Sequence, residues 1–391
     1  MGARIRCESW RLEMTQRDVI PSLEELASEI VREAKLPALQ VAVAKDGEVV
    51  WSGAWGGRVS QPGTRAANDA LVFHTYSAGK PVLALALGCA LERQHLTWDT
   101  PVTQLLPFLK GEGMEAVSLA HLASHHAGLA NAPLPLAEAG TAAGRIARLA
   151  TWSPRHAPGA RFAYHAESAW WLLAAALEAL EGVSPVSAVG ALLRAIGLGE
   201  RAGLIPSSSW ASEIVPPELI GEHGAYLPQD PKSVAYRNAY DAHLLQLAQP
   251  EFRTLGVPGS GYLSTACELA LFYQQLLRGL KGTHSALSRE CVEGLLQVDH
   301  PQSLDLSTGA EAMRGRGLVL AGDAQRYLRG FPPGLSERGF GHTGAGGQFA
   351  WADPETGVSF ALLSSGLERS PLQMGVRGAR FGSAALEALS S

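Results

Sequence analysis

The chain has 391 residues, a formal net charge of −5 at pH 7, 46% hydrophobic residues and 18% charged ones. That is enough chain for a large core and two sub-domains, and its globular composition argues against disorder. With net negative charge and no basic stretch, it carries no electrostatic footprint for nucleic acid.

The first residues, 1–20, mix Arg, Glu and Asp and have no apolar signal-peptide core. No stretch reaches the length of a membrane-spanning helix. A soluble, cytoplasmic protein with no membrane partner is expected. Cys7, Cys89, Cys267 and Cys291 are far apart, with no Cys-x-x-Cys pair. They form neither a disulfide framework nor a zinc ribbon, and Cys89 reads as a small core residue.

In chain order, Ser22-Leu23-Glu24-Glu25 has capping-box spacing, and a helix is expected over 22–35, stopped by Pro37. Residues 39–44 and 49–54 read as a β-hairpin with Asp46-Gly47 at its tip. A loop follows over 56–69, then a short extended segment over 71–76. Residues 117–124 look helical, and 135–180 mostly so. Residues 205–255 show no clear period and read as an irregular segment covering a cleft. A helix is expected over 266–277, a strand–turn–strand over 348–364, and a closing helix over 370–389. This order predicts an α/β (α+β) fold: an antiparallel sheet from both chain ends, flanked by helices, with an all-α insertion. The expected division is 1–76 with 250–391 as the sheet domain and 77–249 as the helical one, with the active site between them.

The centre of this reading is Ser77-Ala78-Gly79-Lys80, followed by an apolar run to Leu91. If Ser77 opens a helix, Ser77 and Lys80 fall one turn apart on one face. A serine hydroxyl needs a base to become a nucleophile. Burial against an apolar helix favours the neutral lysine that can serve as one. The ordinary alternative is an N-cap serine followed by a solvated lysine. Against it, the chain has only six lysines, and Lys80 alone has a serine three residues earlier.

Two further stretches carry chemistry. Tyr164 sits between the Pro158-Gly159 turn and a helix start, where a phenol can project into a cleft and move a proton. Its alternative is a packed tyrosine with a satisfied hydroxyl. Gly341-His342-Thr343-Gly344-Ala345-Gly346-Gly347 opens a strand, and its glycines let backbone N–H groups approach a ligand. It lacks the third glycine of the dinucleotide pattern. His121 and His125 have metal-ligand spacing but no carboxylate partner, so no metal or other cofactor is expected. No Gly-x-Ser-x-Gly elbow is present, which argues against an α/β-hydrolase.

In this order, Ser-x-x-Lys, the Tyr164 stretch and His-Thr-Gly resemble the serine β-lactamase and penicillin-binding-protein superfamily. The chain is most similar to its class C β-lactamase-like branch, which includes family VIII carboxylesterases. Residues 119–129, 158–164, 258–266 and 341–357 also match, so the resemblance covers about 38–368. It implies a β-lactamase/transpeptidase-like fold and acyl transfer through acyl-Ser77. It further implies Lys80 and Tyr164 as general base and acid, an oxyanion hole from the N–H groups of Ser77 and Ala345, and a substrate wall of His342, Thr343 and Gly344. Two positions depart from the pattern. Ala166 stands where β-lactamases and peptidases of this type carry asparagine, and His342 where they usually carry lysine. The expectation is therefore a carboxylesterase-like hydrolase of small esters. The alternatives are a β-lactamase, D-aminopeptidase or acyltransferase on the same scaffold, or a non-catalytic binding protein.

Overall fold

The computed structural model describes residues 20–33, 36–56, 68–130, 132–283 and 286–390. Cys7 and most of the loop expected over 56–69 lie outside them. Helix α1 spans Ile20–Glu33, so Ser22, expected to open it, lies within its first turn. Pro21 fits there because the first turn has no intrahelical N–H bonds to lose. Strands β1 (Ala38–Lys45) and β2 (Glu48–Gly56) form the first hairpin. Its tip residues Asp46 and Gly47 have φ of +53° and +87°. A two-residue turn matched to strand twist needs this left-handed pair.

Helix α2 (Lys80–Arg93) follows a single 3-10 turn, Tyr76–Gly79. Helix α3 (Ser168–Glu181) packs against it, and both are buried along most of their length. Residues 205–255 depart from the expected irregular segment, because they contain the 17-residue helix α4 (Pro231–Leu247). Asp230 caps α4 by accepting from the N–H groups of Lys232 and Ser233, both at 3.1 Å, and Pro231 starts it. Only Asp241, Leu244 and Leu247 are buried along α4, so it has no apolar stripe to read.

Helix α5 (Ala266–Leu280) lies on the sheet. Strands β3 (Val319–Leu320), β4 (Phe340–Gly344), β5 (Gln348–Ala352) and β6 (Val358–Ser364) complete it, and helix α6 (Pro371–Ser390) closes the chain. The sheet has six antiparallel strands in the order β2-β1-β6-β5-β4-β3. Its centre therefore joins the two chain ends directly, Val41 pairing with Leu362.

Strand alternation splits the core in two. Leu39, Val41 and Val43 face one cluster with residues of α1 and α6, while Ala38, Ala42 and Ala44 face the larger cluster that contains α2, α3 and α5. Small side chains on that second face let α5 approach the sheet closely. Cys89 is buried as expected, with its Sγ 3.3 Å from that of Cys291, both as free thiols. Among the described residues no single helix is long and apolar enough to cross a membrane.

Candidate active site

Ser77 lies on the 3-10 turn that leads into α2. The residue before it, Tyr76, has φ of +48°, a left-handed conformation that costs a non-glycine residue about 1–3 kcal/mol. The surroundings hold it there. Tyr76 is 1% exposed, and its phenol donates to the Leu244 carbonyl of α4 at 3.1 Å. The turn presents Ser77 half-buried at the cleft, with Lys80 beneath it.

Lys80 is fully buried, with its Nζ 2.9 Å from Ser77 Oγ. The same Nζ donates to the carbonyls of Ala166 at 2.9 Å and Gly259 at 2.6 Å. A neutral amine has two N–H bonds and one lone pair. When the two carbonyls take the N–H bonds, the lone pair is left facing the Ser77 hydroxyl. Burial pushes the Lys80 pKa down, and the Arg314 charge adds to this; Tyr164 and Glu167 oppose it. The amine also packs between the rings of Tyr164 and Trp170, at 5.4 and 5.3 Å from their centroids.

Glycine is required at position 259. A Cβ there would stand 2.7 Å from the Ala166 carbonyl oxygen and 3.1 Å from Trp170 Cβ. Ala166 thus serves the site through its backbone, although its side chain offers no polar group.

Tyr164 is half-buried, with its ring 4.5 Å from that of His125 and 6.4 Å from that of His342. The Arg314 guanidinium sits 5.3 Å from the Tyr164 and Phe162 ring centroids. His342 pairs with Ala350 across β4 and β5 and so faces the helical side of the sheet. It is 3% exposed, and burial, then Arg314 and Lys80, hold its pKa well below the usual histidine value. The imidazole is therefore neutral at pH 7. With Nδ1 donating to the Thr343 carbonyl at 2.7 Å, Nε2 is an unprotonated acceptor, buried without a partner.

Thr343 is set apart from this group. It pairs with Phe349, which belongs to the core on the other face, and its methyl lies against Gly330. Adjacent strand residues point to opposite faces, so the expected wall of consecutive residues is split. Gly344 brings β4 against the Ser77 turn, where a Cβ would meet the Thr75 carbonyl oxygen at 2.1 Å. Among the described residues the N–H of Ala345, in the turn after β4, has no hydrogen-bond acceptor.

Ser77, Ala166 and Ala345 line one cavity of about 270 Å³, together with Tyr236, Tyr240 and His243 of α4. His121 and His125 do not share a helix face. The helix that carries His121, Leu119–Ala123, ends before His125, which has φ of +66°. His121 stacks on His300 at 5.8 Å. Sequence reading missed Arg314, Glu167, His243 and Tyr240. The first belongs to no motif, and the last two lie on the helix whose pattern is silent.

The profile of the Beta-lactamase family matches residues 23–380. The esterase/β-lactamase LipL of Mycobacterium tuberculosis is 27% identical over 361 residues, 85% of this chain and 78% of that protein. The crystal structure of a family VIII carboxylesterase superposes with a TM-score of 0.78 at 19% identity, covering 96% of this chain and 99% of the other. A penicillin-binding-protein homologue from Caulobacter crescentus gives a TM-score of 0.76 at 21% identity over 96% and 99%. The fold is thus that of the β-lactamases and transpeptidases, and the chain belongs to the Beta-lactamase family.

Proposed function

We propose that the protein is a serine hydrolase that cleaves small carboxylic esters through an acyl-Ser77 intermediate. Neutral Lys80 takes the Ser77 proton as Oγ attacks the ester carbonyl. The N–H groups of Ser77 and Ala345 stabilise the resulting oxyanion. Tyr164, beside Lys80, passes the proton to the departing alcohol, and water then releases the acid. The observation that carries this reading is the Lys80 amine, fixed by two carbonyls with its third position on Ser77 Oγ. A non-catalytic binding protein would have no use for a desolvated lysine held against a serine.

Esters are favoured over β-lactams and peptides for a chemical reason. An amide substrate of this kind needs side-chain hydrogen bonds and a positive charge for its carboxylate. At the two positions where the family pattern carries asparagine and lysine, Ala166 offers no side-chain hydrogen bond and the imidazole of His342 no charge; the Arg314 guanidinium lies over the Tyr164 ring instead. The names of similar proteins, esterase/β-lactamase and family VIII carboxylesterase, support the same choice. The test is a chromogenic ester series run beside a chromogenic cephalosporin. Turnover of short-chain esters well above that of the cephalosporin supports the reading, and the reverse order overturns it in favour of a β-lactamase.

A further inference from the structure

The cavity that holds Ser77 contains a second acid–base pair. Glu167 Oε1 accepts a hydrogen bond from His243 Nε2 at 2.8 Å, and both side chains line the cavity with Ser77 and Ala345. They come from separate elements. Glu167 immediately precedes α3 and follows Ala166, whose carbonyl holds Lys80. His243 lies on α4, next to Leu244, whose carbonyl accepts from Tyr76, the residue before the nucleophile. Both partners are thus tied within one residue of the Ser77–Lys80 machinery.

The bond to Glu167 fixes the imidazole: Nε2 carries the proton, and Nδ1 keeps its lone pair. Among the described residues Nδ1 makes no hydrogen bond, and the His243 side chain is 33% exposed. A carboxylate that orients one nitrogen of a histidine and leaves the other unengaged, in a cavity shared with a nucleophile, is an arrangement suited to a general base.

We propose that His243 is the general base that activates water against acyl-Ser77, with Glu167 as its positioning residue; this rests on the acyl-enzyme reading above. Nδ1 takes one proton from the water as its oxygen bonds to the acyl carbon. The bond from that carbon to Ser77 Oγ breaks, and Oγ regains a proton from the Lys80–Tyr164 pair. The proton on His243 returns to that pair through solvent, and the acid leaves with the water's oxygen and second proton. Division of labour explains why the cavity needs two bases: Lys80 is committed beneath the serine, while His243 stands in the wall of the space a water can enter.

The groups facing this pair are Lys80 from α2, Tyr76 from the nucleophile turn, and Tyr236 and Tyr240 from α4; Asp241 is engaged by His223. Glu167 raises the His243 pKa above the ordinary histidine value, by its hydrogen bond first. As a base His243 must be neutral, so deacylation should rise with pH through that ionisation.

The test is stopped-flow hydrolysis of p-nitrophenyl acetate by the wild type, His243→Gln and Glu167→Gln. The proposal expects both variants to release one equivalent of p-nitrophenolate in a burst. His243→Gln should then turn over on the order of 10²-fold more slowly, the usual scale of general-base loss, with acyl-Ser77 accumulating by mass. Glu167→Gln should move the alkaline rise of kcat to lower pH. Steady-state rates within about threefold of wild type and an unmoved pH profile would overturn the proposal. So would burst and steady-state rates that fall together, the mark of a purely structural tie. In either case a one-equivalent adduct on Ser77 would leave the acyl-enzyme reading standing. Absence of any adduct in wild type and variants would remove both.

Discussion

Lys80 Nζ stands 2.9 Å from Ser77 Oγ, and its other two hydrogen-bond positions are filled by the carbonyls of Ala166 and Gly259. The direction of the lone pair is thus set by two backbone carbonyls. Lys80→Met, which keeps the side-chain length, should lower kcat on order 10²-fold or more, the scale of general acid–base catalysis. Tyr164→Phe should cost a similar factor. The double variant should be little worse than either, because the two groups handle one proton. Steady-state kinetics of the three variants check this, and fully additive losses would separate the two roles.

The carbonyl cradle makes its own prediction. Gly259→Ala places a methyl 2.7 Å from the Ala166 oxygen, so one of the two carbonyls must move. Overpacking of this kind costs about 1–3 kcal/mol of stability. Activity should fall further than stability alone explains, on order tenfold, because Lys80 loses its alignment. A urea titration paired with kcat/KM separates the two effects, and unchanged kcat/KM would mean that the cradle does not align the base.

Substrate choice turns on two positions. His342→Lys with Ala166→Asn supplies the charge and the amide that the family pattern carries there. Each charge-assisted contact is worth roughly 1.5–3 kcal/mol, so acylation by a chromogenic cephalosporin should rise tenfold or more. The new lysine enters a buried site that already faces the positive charge of Arg314, so a lower melting temperature is expected too. If cephalosporin acylation does not rise, these two positions do not set the preference.

Acid should destabilise the fold. Burial, the leading cause in each case, holds His74 down to about 3 and His126 and His165 down to about 4, and His125 and His342 well below 6.5. The unfolded chain takes up these protons near pH 6.5, while the native chain does not. Stability from them is therefore full above about pH 6.5 and is lost as pH falls toward 4, at up to about 1.4 kcal/mol per pH unit for each histidine. Glu268, whose carboxyl burial raises, offsets part of this. Urea midpoints at pH 7 and pH 5 should differ accordingly. His74→Phe, at a site where neither ring nitrogen has a partner, should flatten the slope by about one proton. An equal slope in that variant would show that His74 is protonated in the native state.

The site was legible where chemistry follows local spacing. Ser77 and Lys80 sit three residues apart at the start of an apolar helix, and the hairpins announced themselves through Asp46-Gly47 and the turn Asp353-Pro354-Glu355-Thr356-Gly357. It was not legible where partners are backbone or distant in sequence. Nothing in the identity of Ala166 says that its carbonyl holds Lys80, although Gly259 in Pro258-Gly259-Ser260-Gly261 was a sign of close approach. Glu167 and His243 meet across 76 residues. Helix α4 buries too few side chains to leave a period. The separation of Thr343 from His342 was readable, since consecutive residues of a strand cannot share a face.

Ser77 is the proposed nucleophile, activated by a lysine whose pKa is lowered by burial. A fluorophosphonate probe followed by peptide mass spectrometry tests it most directly. A single adduct is expected, on Ser77, formed faster as pH rises through the lowered Lys80 ionisation and abolished in Ser77→Ala. An adduct on another residue, or labelling that persists in Ser77→Ala, would contradict it.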